Sequence, residues 1–211
     1  FFNNPNAREF IMRLGGEKGL TDAFLAVELG FAGVIASGYG VQAVMRLRSE
    51  ETGLHAEPVL AAAVGRVRWA LGHVAVAFAG TTLLMALFGL AAGLAHGVEV
   101  GDMSQVGRVF TAALVQLPAA WVLAAIVVAV FGLAPRFVAG GWVALAAFVL
   151  LGELGPLLGL SEWVMDLSPF AHVPRLPGGV FTPAPLVALT AAAMLLGAAG
   201  LVGLRRRDIG S

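Results

Sequence analysis

Long apolar runs broken by short polar stretches set the pattern of this chain. Five windows are long and apolar enough to cross a bilayer: about Ala23–Val44, Trp69–Leu94, Phe110–Leu133, Phe137–Leu158 and Leu186–Leu204. A spanning helix needs about 20 mostly apolar residues, because ~30 Å of hydrocarbon is crossed at ~1.5 Å per residue. The runs are too long for strands and do not alternate polar with apolar, which argues against a β-barrel. The pattern predicts an all-α integral membrane fold of about five transmembrane helices.

The connections divide the chain further. A polar segment over 1–22 precedes a span over 23–48. A second polar element covers 49–66, three spans lie within 67–158, a mixed segment covers 159–185, and the last span and tail cover 186–211. His96–Arg108 reads as a short polar loop, and Ala134-Pro-Arg136 as a tight turn that makes its flanking spans a helical hairpin. In the mixed segment Trp163, Met165, Leu167 and Phe170 are too few to span, while Pro169, Pro174, Pro177, Gly178 and Gly179 interrupt regular structure. A short amphipathic helix at the outer leaflet is expected there.

Arginines orient the chain. Alternating spans place Arg46, Arg48, Arg66, Arg68, Arg136 and Arg205-Arg206-Arg207 on one side, which the positive-inside rule makes cytoplasmic. Arg8, Arg13, Lys18, Arg108 and Arg175 fall on the other. The N-terminal segment is then external, so an even-numbered bundle with one further helix before this stretch is expected.

Composition sharpens this picture. Of 211 residues 59% are hydrophobic and 12% charged, about half the charge of a soluble domain, and the mean hydropathy is +0.88. The net charge of zero gives no electrostatic case for nucleic acid. Cysteine is absent, which excludes disulfides and thiolate chemistry. The single lysine, Lys18, sits in Gly15-Gly-Glu-Lys-Gly19 with no following Ser or Thr, and reads as a loop turn rather than a phosphate cradle. His55, His73, His96 and His172 show no metal spacing, and His-Glu-x-x-His is missing. His73, on an apolar span, reads as a hydrogen-bonded packing residue, and Met85, Phe78 and Phe88 as helix packing. Neither Ser37 nor the Ser168/His172 pair sits in a pattern that supplies a base and its orienter.

The stretch Arg46–Arg68 stands out against this background. Glu50, Glu51 and Glu57 cluster ahead of the apolar Val59–Val64, and Pro58 suits the first turn of a helix. Gly53 breaks the chain before that helix and Gly65 ends it, so a short helix over Glu57–Val64 is expected along the membrane surface. Arg66 and Arg68 then anchor the next span, with Trp69 at the lipid–water boundary. Read alone, this is an interfacial loop helix.

The string Arg-x-Glu-Glu-x-Gly-x-x-x-Glu-Pro-Val-Leu-Ala, carried on to Trp69 and His73, resembles the coupling-helix region of ABC-2 type transporter permeases. It is similar in particular to actinobacterial exporters of polyketide antibiotics. Tyr39–Arg48, Gln116-Leu-Pro-Ala-Ala-Trp121, Phe131-Gly-Leu-Ala-Pro-Arg136, Gly152–Gly159, Asp166–Gly178 and Arg205–Ile209 resemble further parts of that family. The resemblance implies the C-terminal six-helix half of a permease lacking its first helix, with a cytoplasmic coupling helix and a short external or re-entrant helix. It implies a bacterial plasma membrane location and hydrophobic drugs or antibiotics as cargo. The implied partners are the other six-helix half and a separate ATPase subunit in two copies, which holds the ATP and Mg while this chain binds no cofactor.

On that resemblance Glu50, Glu51, Gly53, Glu57, Pro58, Leu60, Val64 and Arg66 form the contact with the ATPase. Glu28 and Glu153 have two readings: they reach water at the interface, or they line the substrate path. Two other classes stay open, a membrane-embedded enzyme and a membrane anchor or assembly protein.

Overall fold

In lipid the backbone has no water to bond, so it must satisfy its own N–H and C=O groups, and an apolar chain does this by forming helices. The computed structural model of the protein describes residues 16–52, 65–153 and 158–206. Among them every regular element is helical. They are α1 (Gly16–Thr52), α2 (Arg66–Val100), α3 (Ser104–Leu114), α4 (Leu117–Leu133), α5 (Gly140–Glu153), the four-residue α6 (Glu162–Met165) and α7 (Pro183–Arg206), with 3-10 turns at Pro135–Phe137 and Pro169–His172. Four stretches are long and apolar enough to cross a membrane: α1, α2, the continuous run Ser104–Leu133 and α7. With α5, the expected set of about five helices is present.

The ends differ from the sequence expectation. α1 starts at Gly16, so Lys18 lies in a helix rather than a loop turn. α2 runs on through His96 to Val100, where a longer loop was expected. Gly101 stops it in the left-handed conformation at φ 73 and ψ 21, returning its N–H to the last turn. The Asp102 carboxylate then accepts the Ser104 N–H at 3.0 Å and starts α3. α5 has 14 residues, about 21 Å of rise, which falls short of ~30 Å of hydrocarbon. The expected surface helix over Glu57–Val64 lies outside the described residues.

The third span has two pieces. Pro118 has no N–H to give the Leu114 carbonyl, so the ladder breaks at Val115–Gln116 and resumes as α4 with proline in its first turn. α4 is the centre of the bundle, buried over most of its length.

Small residues let the helices approach. Along α2, Ala77, Thr81, Met85, Gly89, Gly93 and Gly97 are buried at four-residue spacing, a single ridge on one face. A Cβ on Gly93 would lie 2.9 Å from the Val106 carbonyl oxygen, and one on Gly89 would meet the Ala113 methyl at 2.5 Å. On the far side of α4, Gly132 and Gly200 touch backbone to backbone: a Cβ on Gly200 would collide with the Val128 carbonyl oxygen. Hydroxyls in this interior bond their own helix, Ser37 to the Gly33 carbonyl and Thr81 to the Ala77 carbonyl, each at 2.7 Å.

Gly200→Val should separate α4 from α7 and cost about 1–3 kcal/mol, the usual scale of overpacking. Thermal unfolding in detergent reads it. Gly197 has open space around it, so Gly197→Ala should hold or raise the midpoint; equal losses in both variants would refute the close crossing.

Candidate functional site at the two ends of the bundle

Packing gathers the arginines at one end. Leu47, Trp69, Phe131, Val138 and Leu204 belong to one buried cluster. The helix ends that meet there carry Arg46, Arg48, Arg66, Arg68, Arg136, Arg205 and Arg206. The sequence-expected docking element sits between the last turn of α1 and the first of α2. Gly53, Glu57, Pro58, Leu60 and Val64 lie outside the described residues, so only its two edges are visible.

Those edges are tied to each other. One oxygen of Glu50 accepts the Trp69 indole N–H at 3.2 Å and lies 3.0 Å from His73 Nε2. Trp69 and His73 are one turn apart on α2, hence on one face, and their rings meet edge-on with centroids 5.5 Å apart. Trp69 is buried at 8% exposure and turned toward α1, where its N–H meets a carboxylate. Glu51, on the last turn, lies 3.6 Å from Arg48 with 10% of its side chain exposed. Arg66, half-buried, opens α2. Of the three carboxylates expected to face a partner, the two described ones, Glu50 and Glu51, are thus engaged within the chain.

The opposite end is closed by the segment 158–182. Ser168, fully buried, donates its hydroxyl to the Phe148 carbonyl on α5 at 3.0 Å. Phe170 and Val173 then pack against Ala119 and Val122 of α4 and Leu189 and Ala193 of α7. Trp163 and Leu167 stay exposed. The expected amphipathic helix is only the four-residue α6, because the prolines that follow force turns. Leu176 joins the cluster of Leu25, Leu29 and Met85, which brings the segment over the start of α1.

There an ion pair links elements distant in sequence. Arg108 of α3 donates to Asp22 of α1 at 2.5 Å and to Gln105 at 3.1 Å. Gly178, at φ 102, sits directly on Asp22: a Cβ would lie 2.9 Å from the aspartate Cβ. Asp22, Arg108, Thr111, Leu176, Pro177 and Gly178 line a cavity of about 410 Å³. Sequence reasoning passed over this pair, whose members are 86 positions apart. The available signal was a lone aspartate at the mouth of one span and a lone arginine at the mouth of another.

Of the two carboxylates considered for a substrate path, the side chain of Glu28 alone lies among the described residues. Glu28 is exposed on the α1 face that also exposes Phe24, Phe31 and Ile35. With α1 starting at Gly16, it lies more than three turns into that helix, deeper than the sequence window suggested. The Glu153 side chain is outside the described residues.

Residues 1–205 match the model of the multidrug efflux system permease Rv1217c, C-terminal domain. The chain belongs to that permease family. It is 43% identical over 208 residues to the multidrug efflux system permease protein Rv1217c of Mycobacterium tuberculosis, a match that takes in 98% of this chain and 38% of that relative. The chain therefore spans well under half the length of the curated relative it matches. In this Rv1217c-type C-terminal domain the apolar helices form a multi-pass membrane bundle, with its arginines at one end and the anchored segment 158–182 at the other.

Loosening the cap contact gives a direct check. Asp22→Asn and Gly178→Ala should each speed amide exchange across residues 168–179 about tenfold, the scale of losing one hydrogen bond to a charged group. Exchange confined to the wild-type rate in both variants would remove the contact between cap and α1.

Proposed function

We propose that this chain is the membrane-spanning part of the permease of an ATP-driven exporter, moving hydrophobic drugs or antibiotics out of a bacterial cell across its plasma membrane. The family match over residues 1–205 carries this reading. The relative's name, a multidrug efflux permease, supports the cargo class. Energy would come from a separate ATPase subunit, present in two copies, which holds ATP and Mg; the other half of the permease would complete the pathway.

The gathering of arginines at one end supports placing that end in the cytoplasm. The element between α1 and α2 would then receive the ATPase through Glu57, Pro58, Leu60 and Val64, with Arg66 and the Glu50–Glu51 pair at its edges. Closure of the ATPase would rock the attached spans between two packings, each biased by nucleotide at a distance. The segment 158–182, anchored through Ser168, Phe170 and Val173, would then stand at the exit. Glu28, a carboxylate on an otherwise apolar exposed face, suits a hydrated path for cationic cargo between the two halves.

The test uses the full-length permease reconstituted with its ATPase. Glu57→Ala and Arg66→Ala should lower drug efflux about tenfold while ATP hydrolysis persists, the size of a typical coupling between two sites. Unchanged efflux in both removes the coupling role. Glu28→Gln should reduce export of a cationic dye more than of a neutral one; an equal effect on the two would take Glu28 off the path.

A further inference from the structure

A segment that is pushed can move its flanking helices only if they do not splay apart beneath it. The structure provides a cross-tie at that place. Glu50 lies two residues before the end of α1, and Trp69 three residues after the start of α2. The contact thus joins the last described turn of α1 to the first turn of α2. There the Trp69 backbone N–H donates to the Gly65 carbonyl at 3.1 Å, which makes Trp69 part of the helical ladder.

The contact is directional in a way the surrounding packing is not. Leu47 and Ala70 are fully buried beneath it, and apolar surfaces of this kind can slide. A single oxygen of Glu50 meets two donors held on consecutive turns, Trp69 Nε1 and His73 Nε2. This contact uses the Nε2–H tautomer of His73, which lets both groups donate to the one oxygen. Two donors on one acceptor fix both the separation and the relative rotation of α1 and α2. The Glu50 side chain is 39% exposed and that of His73 21%. The tie is therefore a modest contributor to stability, and its value lies in geometry.

We propose that Glu50, Trp69 and His73 form a positioning clasp that makes α1 and α2 one lever. The clasp holds the base of the coupling element closed so that force on residues 53–64 rotates both helices together. This rests on the coupling reading above. Glu50 on this view acts through its neighbours in the same chain and is not a surface that the ATPase touches.

The experiment reconstitutes the full-length permease with its ATPase in liposomes and measures three quantities: co-purification of the ATPase, ATP hydrolysis, and efflux of a fluorescent cationic dye per ATP. Glu50→Ala and Trp69→Phe should each keep the complex and hydrolysis within about twofold, yet lower dye exported per ATP about tenfold. The double variant should be no worse than Glu50→Ala alone, because that change already removes the bond Trp69 makes. Glu50→Gln should restore at least half of the wild-type yield, since its amide oxygen still accepts the indole N–H, and it covers the case in which the alanine variant folds poorly. Unchanged yield in Glu50→Ala, losses that multiply in the double variant, or loss of ATPase binding with Glu50→Ala would each overturn the clasp. Wild-type permease that exports the dye with no dependence on ATP would instead remove the coupling reading itself, a result the three clasp variants do not produce.

Discussion

Apolar side chains gain nothing by leaving hydrocarbon for one another, so a bundle in lipid is held by how closely its backbones can approach. Here that approach is made by glycine. Gly132 and Gly200 bring α4 and α7 into backbone contact, and Gly89, Gly93 and Gly97 seat α3 on α2. Because α4 is thereby gripped by α7 on one side and by α1 and α2 on the other, its position is the reference from which both ends of the molecule are arranged. Gly40, against Thr81 and Ala124, and Gly141, against Val127, extend the same grip to α1 and α5.

Polar chemistry is then confined to the ends, where each contact has a defined job. At the arginine end a carboxylate meets an indole and an imidazole across two helices. At the other end a carboxylate meets a guanidinium beneath a folded-in segment that plants Phe170 and Val173 in the core. Between them Ser37 and Thr81 close on their own helices, and Gln116 is buried against Gly33 at the joint of the third span. Those two hydroxyls thus tie no helix to another, and the close glycine contacts set the shape there.

The spans were legible because hydropathy is a property of consecutive residues. Helix ends were not, because hydropathy reports the solvent a residue prefers and not where its N–H goes. His96 to Val100 is polar enough to read as loop, yet its backbone continues the helix until Gly101 turns it. Lys18 misled in the same way at the start of α1. The apolar window Phe137–Leu158 merged a 3-10 turn, the 14-residue α5 and the chain beyond it. At the candidate site the sequence marked the right neighbourhood, the edges of the Arg46–Arg68 stretch. It could not say that Glu50 meets Trp69 and His73, since a carboxylate in a string carries no direction. Asp22 and Arg108 were invisible for a simpler reason: nothing local relates positions so far apart until three elements have packed.

The break at Val115–Gln116 has a consequence for how such a bundle can work. The outer piece of that helix, α3, is seated on α2 and bonded to α1 through Arg108, while the inner piece, α4, is locked to α7. Pro118 leaves the joint between them one backbone bond short. The two pieces therefore answer to different neighbours across a joint already missing a rung, where a change of angle between them would break no intact helical turn.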